Sequence, residues 1–330
     1  MHRMQTCWAI CLLGLCAVGM APRPAAAQTP ADMLPPVVTA VKMQPGGDLF
    51  ATAGDDHLVR IWNRETGELE RRLDGHLDWV RTVAFSPDGA ALVTGGNDRT
   101  IVVWNPATGE QLAQLGDKSR AIASMAFSPD GKTLAVVGFE QSLQLFDFPA
   151  GTLNRTLDCP CRDMRCVAFS PNGTLLASAG RTGQIRLWNV AAGDQPRDLP
   201  VHRRRVRGMA FSPDGSQIAS ASEGGEVRIT AVDSGQGFEL PRLSAKALSL
   251  VYVDRNTLAV GCSDNTIRIW NLSNRTEIKQ LRGHTGSVST LDSDKGTLIS
   301  GSFDASQRQW PVGGSGAAGP QLGGLPANRK

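Results

Sequence analysis

Between residues 80 and 105 the chain reads VRTVAFSPDGAALVTGGNDRTIVVWN. Apolar residues at Val80, Val83 and Phe85 give a first strand. Ser86-Pro87-Asp88-Gly89 gives a tight turn, because Pro pre-sets the first turn dihedral and Gly accepts a positive φ. Ala91-Leu92-Val93-Thr94 is a second strand, Asn97-Asp98-Arg99 a polar turn, and the run from Ile101 to Trp104 a third strand. A weakly alternating run such as ELERRL at 68–73 reads as an outer edge strand. Short strands with evenly spaced turns predict an all-β fold, and no long stretch carries a 3.6-residue apolar period.

The same grammar recurs along the chain. The turn returns as SPDG at 128–131, SPNG at 170–173 and SPDG at 212–215. The position of Trp62 is filled again by Trp104, Phe146, Trp188, Thr230, Trp270 and Trp310, at spacings of 42, 42, 42, 42, 40 and 40 residues. The two shorter units are trimmed in their first hairpin: VDRNTL at 253–258 and SDKGTL at 293–298 stand where FSPDGAAL stood. A fixed period of this length is the mark of a repeat architecture whose units stack to bury a common core.

These units resemble the WD40 family, whose signature is a Gly-His pair followed by Trp-Asp or Trp-Asn. Here Gly75-His76 precedes Trp104-Asn105 and Gly283-His284 precedes Trp310. The resemblance implies an all-β, seven-bladed β-propeller of four-stranded antiparallel blades over residues 37–310. It also implies a His, Ser/Thr, Asp, Trp hydrogen-bond set within a blade. That set is complete twice: His76, Thr94, Asp98, Trp104 and His284, Ser300, Asp304, Trp310. The first blade has Thr52, Asp56 and Trp62 but Leu34 at the His place; the fourth keeps Ser178 and Trp188, the sixth Asp264 and Trp270. The third (Val136, Glu140, Phe146) and the fifth (Ser220, Thr230) are expected to be the loosest. The family closes its ring with an N-terminal strand, and residues 28–36, a linker or poor closing strand, contain three prolines.

Composition narrows the class. The 330-residue chain is 20% charged and 41% hydrophobic with a net charge of +3, so no polyelectrolyte partner such as nucleic acid is implied. Residues 1–27 read as a signal peptide: a basic start, an apolar run at 7–20 too short to span a bilayer comfortably, then Ala25-Ala26-Ala27. Retention as an anchor is the alternative. The leader's Ala/Arg-rich composition points to a bacterial exported protein, in the periplasm or outside the cell, with no membrane span once the leader is cleaved near Ala27. Residues 311–330 are Gly/Pro-rich and read as a flexible tail.

No phosphate loop, dinucleotide fingerprint or nucleophile-elbow motif occurs, so the chain reads as no enzyme, with no cofactor and no metal. Binding then falls to loops on the propeller's narrow top face, and the candidates are Trp79, Asn97, Phe139, Arg181, Arg203, Arg205 and Phe303. Trp79 is the sharpest, as an exposed Trp is a common interface anchor. The partner is a protein or peptide, held by a monomer. A second reading is a sensor or enzyme that takes a small anionic ligand at the channel mouth through Arg181, Arg205 and His202. A third is a structural module tethered by its tail. The segment CPCRDMRC at 159–166 could close a disulfide, Cys161 with Cys166 or Cys159 with Cys166, or hold a soft metal with three thiolates. Cys262 reads as a buried free thiol.

Overall fold

In the computed structural model the described residues are 36–117, 120–140, 142–159, 163–191 and 195–312. They form seven antiparallel sheets and, among the described residues, no helix. The sheets cover 38–73, 80–117, 122–158, 164–200, 206–239, 247–281 and 288–311, and are blades 1 to 7 in that order. Blades 1 to 6 have four strands. Blade 7 has three among the described residues, Val288–Asp294, Thr297–Ser302 and Gln307–Pro311. The leader, the expected closing strand and the tail beyond 312 lie outside the described residues.

Blade 2 shows how the sequence builds a unit. Val80–Phe85, Leu92–Gly96, Thr100–Trp104 and Gln111–Asp117 follow one another outward from the axis. The turn between the first two is made as its residues demand. Gly89 has φ 71°, and its N–H donates to Ser86 O at 2.8 Å. The Asp88 carboxylate accepts from Ser86 Oγ at 2.5 Å and from Ala90 N at 3.1 Å. Successive turns also stack, since Gly131 lies against Pro87 and Gly173 against Pro129.

All five residues of Leu92–Gly96 are buried, whereas the outermost strand of blade 1, Leu69–Leu73, alternates between half-buried and exposed until Leu73. A middle strand is apolar throughout because both of its faces are covered, one by each neighbouring blade. Thus Trp104 of blade 2 packs with Ala51, Ile61 and Leu73 of blade 1 in one cluster, and the pattern repeats around the ring.

Within blade 2 four polar side chains join in one chain of contacts. His76 Nδ1 is 2.7 Å from Asp98 Oδ2, His76 Nε2 is 2.7 Å from Thr94 Oγ1, and Trp104 Nε1 donates to Thr94 Oγ1 at 2.8 Å. Burial opposes the Asp98 charge, but hydrogen bonds from His76, Leu77 N and Thr100 N overcome it and hold the carboxyl at about 2. An ionised Asp98 needs the imidazole proton on Nδ1. Nε2 is then an acceptor, Thr94 donates to it, and the hydroxyl oxygen is free for the indole. Blade 7 repeats this with His284, Ser300, Asp304 and Trp310 at 2.9, 2.7 and 2.9 Å.

The remaining blades vary the set in chemically consistent ways. In blade 1 Trp62 Nε1 donates to Thr52 Oγ1 at 2.8 Å while Asp56 pairs with Arg60. Blade 3 replaces hydroxyl and indole together by Val136 and Phe146, so neither is stranded. In blade 4 Cys159 Sγ lies 3.9 Å from Ser178 Oγ. In blade 5, expected to be loose, His202 Nε2 is 2.8 Å from Ser220 Oγ, while Nδ1 lies 3.5 Å from Glu226 Oε2 without a hydrogen bond and the Thr230 hydroxyl is buried without a partner. Glu226, just before the third strand Val227–Ala231, faces the imidazole where the turn's Asp stands in blades 2 and 7. Blade 6 strands its indole. Val260 stands at the hydroxyl position opposite Arg268, and the buried Trp270 Nε1 has no acceptor.

The Asp of the set does a second task. It accepts from the N–H two residues on, which holds the intervening non-Gly residue in the left-handed region: His57, Arg99, Asn265 and Ala305, at φ 65–69°. Blades 4 and 5 lack that Asp, and Gly183 and Gly225 occupy the same place at φ 79° and 78°.

Blades 7 and 1 meet through side chains. Asp292, 6% exposed, accepts from Met43 N at 2.8 Å and pairs with Lys42 Nζ at 2.6 Å. Arg64 pairs with Asp294 at 2.8 Å, and Gln309 Nε2 donates to Arg64 O at 2.9 Å.

Thr94→Val strands the Trp104 N–H and the Thr94-bound imidazole nitrogen, and should cost about 1–3 kcal/mol for each in denaturant unfolding. The reverse exchange, Val260→Thr, supplies the Trp270 N–H with an acceptor and should stabilise by about 1 kcal/mol. The melting temperature should also fall on acidification in two stages. Burial lowers the pKa of His202 and His284 below the usual 6.5, so the unfolded chain binds their protons first, and stability drops as pH passes downward through about 6.5. Asp98 and Asp304, held at about 2, contribute above about pH 4 and lose that contribution toward pH 2. A flat profile from pH 7 to 5 would contradict the neutral buried imidazoles.

Candidate binding site at the channel mouth

Every innermost strand carries a β-bulge at its second residue. The register of blade 2 skips from Val80 to Thr82, and equivalent skips occur in the other six blades. A bulge leaves one residue outside the ladder and re-aims its side chain. The seven bulged residues are Thr39, Arg81, Ala123, Arg165, Arg207, Leu248 and Ser289, and all seven line one cavity at the mouth of the axial channel. The cavity measures about 400 Å³, and Val37, Asp55, Trp79 and Phe303 complete its wall. The backbone comes so close at the bulge that a Cβ on Gly96 would lie 2.0 Å from Trp79 O.

Three of the seven bulge side chains are arginines. Arg81 donates from Nε to Asn97 Oδ1 at 2.5 Å, and its guanidinium lies 5.7 Å from the Trp79 ring centre and 5.5 Å from that of Phe139. Arg165 stacks over Phe139 at 4.4 Å, with Nε 2.6 Å from Asp163 Oδ1. Arg207 lies 3.4 Å from Glu223 Oε1. The pKa of Arg81 is lowered by burial and then by the charges of Arg165 and Arg207; that of Arg207 is lowered by burial and then by Arg165. The three cations therefore feel one another across the cavity.

The residues expected to bind separate into groups. Trp79 and Phe303 stand at the mouth, 42% and 50% exposed. Asn97 and Phe139 are half-buried and orient arginines. Arg205 bridges blades 4 and 5: it pairs with Asp163 at 2.8 Å and with Glu223 at 3.1 Å. Burial opposes its charge, but these carboxylates more than offset that and raise its pKa. Arg181 is exposed on its turn, away from the cavity wall. Arg203 lies in a lateral cleft with Arg204, Arg228 and Arg242. The trio Arg181, Arg205 and His202 does not converge, since the His202 side chain is fully buried inside blade 5.

Sequence reasoning missed Arg81 and Arg207 as site residues. A signal was present. Apolar residues at 80, 83 and 85 break the period of two once, and a slip of one residue is what a bulge produces.

The described residues contain no disulfide. Cys166, expected to bridge to Cys161, is a free thiol, and Cys161 itself lies outside the described residues. Cys166 is packed in the cluster between blades 4 and 5, and burial pushes its pKa up to about 12, against the pull of Arg207 and Arg165. Cys159 falls in a different cluster, between blades 3 and 4. Cys262 is a buried free thiol, also at about 12. Among the described residues no group of His, Cys, Asp and Glu could hold a metal ion, and no helix is long and apolar enough to cross a membrane.

A family model described as WD domain, G-beta repeat matches seven stretches: 34–63, 67–105, 109–147, 151–189, 193–230, 246–271 and 275–310. The chain is 33% identical over 61 residues to a U3 small nucleolar RNA-associated protein 15 homolog of Xenopus tropicalis, covering 18% of this chain and 12% of that protein. It is 36% identical over 70 residues to the mitochondrial division protein 1 of Mycosarcoma maydis, covering 21% of this chain and 9% of that protein. The chain thus spans only a small fraction of these relatives' length.

The difference between bridging and splayed arginines is measurable. Arg205→Gln removes two ion pairs, one with the 9%-exposed Asp163 and one with Glu223, and should destabilise by about 1–2 kcal/mol. Arg203→Gln, with no such tie, should stay within about 0.5 kcal/mol of the parent in urea unfolding.

Proposed function

The chain belongs to the WD40-repeat family, and from that premise we propose that it is a non-catalytic, monomeric scaffold in the cell envelope that holds a protein or peptide at its channel mouth. The observation that carries this reading is the pair of exposed aromatic residues, Trp79 and Phe303, on the wall of a cavity about 400 Å³ in volume. Large aromatic side chains left in water at the rim of a cavity lose little entropy on docking and bury much area, so they make effective anchors. Leu77, 85% exposed two residues before Trp79, extends the apolar edge. The placement in the envelope rests on the apolar run at 7–20 and the small residues at 25–27. The named relatives lend no partner, because the alignments cover 9–12% of their length.

The test is capture from periplasmic extract with immobilised wild-type protein and with the Trp79→Ala, Phe303→Ala double variant. Recovery of the wild type's specific species should fall about tenfold or more, as removing interface anchors demands, at an unchanged melting temperature. Equal capture by both baits would remove the mouth from consideration, and recovery of the full-length chain from the cytosol alone would remove the envelope.

A further inference from the structure

The seven bulge positions face one cavity but do not carry one chemistry. In blades 7 and 1 they hold hydroxyls that tie the ring: Ser289 Oγ donates to Val38 O at 2.6 Å, and Thr39 Oγ1 donates to Val80 O. In blades 3 and 6 the position is Ala123 and Leu248. A hydroxyl, a methyl and an isobutyl group all satisfy the architecture, so blade stacking does not call for a charge. Blades 2, 4 and 5 nevertheless place Arg81, Arg165 and Arg207 there.

Building on the docking surface proposed above, we propose that these three arginines receive a carboxylate side chain from an acidic stretch of the partner, while Trp79 and Phe303 hold the apolar residues beside it. Three guanidinium groups in one partly dehydrated cavity repel one another, and an entering anion relieves that repulsion. Their pKa values carry the mark of this: those of Arg81 and Arg207 are lowered by burial and by neighbouring arginines. Their poses are set in advance. Asn97 accepts from Arg81 Nε, Asp163 pairs by charge with Arg165 on its Nε side at 2.6 Å, and the Phe139 ring lies against both guanidinium groups. Gripping at Nε leaves the two terminal nitrogens of each fork for the two oxygens of a carboxylate, the geometry in which arginine is strongest.

The charge balance selects a monoanion over a phosphate group. Asp163 and Glu223 already neutralise part of the field at Arg165 and Arg207, and Asp55 lies on the cavity wall. Asp163 and Glu223 are shared with Arg205, so four arginines face three carboxylates and one positive charge is left over, which a single negative charge matches and a dianion exceeds.

Fluorescence anisotropy with labelled octapeptides tests this. The probes share a Gly/Ser background with two leucines and differ at one central residue: Glu, Gln, phosphoserine or Lys. The Glu peptide should bind about tenfold or more tighter than the Gln peptide, and the preference should shrink as salt rises. Arg81→Gln and Arg207→Gln should each reduce the Glu-to-Gln ratio to about two or less. Arg81→Lys keeps the charge without the fork and should retain part of the ratio. Melting curves of each variant exclude unfolding as the cause. Equal binding of the Glu and Gln peptides, both lost on Trp79→Ala, overturns the carboxylate receptor and leaves the docking surface standing. Tighter binding of the phosphoserine peptide than of the Glu peptide overturns the choice of a monoanion. Failure of every peptide to bind the wild type overturns the docking surface and the receptor together.

Discussion

The innermost strand of each blade has a hydrogen-bonding edge toward the axis and no strand to pair with it. Buried backbone groups without partners are costly, so that edge sets the terms for the centre of the molecule. The chain meets them with side chains from the neighbouring blade. Val41 N donates to Thr290 Oγ1, Met43 N to Asp292, and Met125 N to Thr82 Oγ1. Ser289 and Thr39 return hydroxyl donors to the carbonyls of Val38 and Val80. From blade 7 through blades 1 and 2 to blade 3 the centre is therefore joined by polar ties, and the bulge at the top of each innermost strand is where it opens into a cavity.

Farther out, stability depends on whether polar partners are replaced together or singly. Blade 3 exchanged hydroxyl and indole for Val136 and Phe146, which is near neutral because nothing is left unpaired. Of the hydroxyl–indole pair blade 6 lost the hydroxyl alone, and the Trp270 N–H is stranded. Of the same pair blade 5 lost the indole alone, and the Thr230 hydroxyl is buried without a partner, although His202 and Ser220 remain joined. The units thus differ from one another by exchanges whose costs differ sharply, and the packing between blades accommodates them all.

The mouth of the channel joins these architectural constraints to recognition. The bulge aims one residue per blade at a shared space, and its chemistry is free to vary once the ring is tied elsewhere. Arginine at three of the seven positions, with Phe139 against two of them and Trp79 and Phe303 on the rim, gives that space charge and apolar surface side by side. Arg205, which looks alike in sequence, is spent on holding Asp163 and Glu223 across two blades.

What the sequence determined by itself was everything that repeats. Strand count, turn chemistry, the seven units and the two complete polar sets are local patterns, and a pattern seen several times at a fixed period identifies itself. Tertiary structure decided what depends on a register slip or on a partner distant along the chain. His202 reads as a loop residue in HRRRVR until the fold sets it beside Ser220 and Glu226. Arg203, Arg205 and Arg207 are near neighbours in one segment, yet a bulge and a strand edge send them to a lateral cleft, an inter-blade bridge and the channel. Side-chain direction in a sheet alternates residue by residue, so one extra residue re-aims its neighbours, and only the folded ring reveals which of them converge.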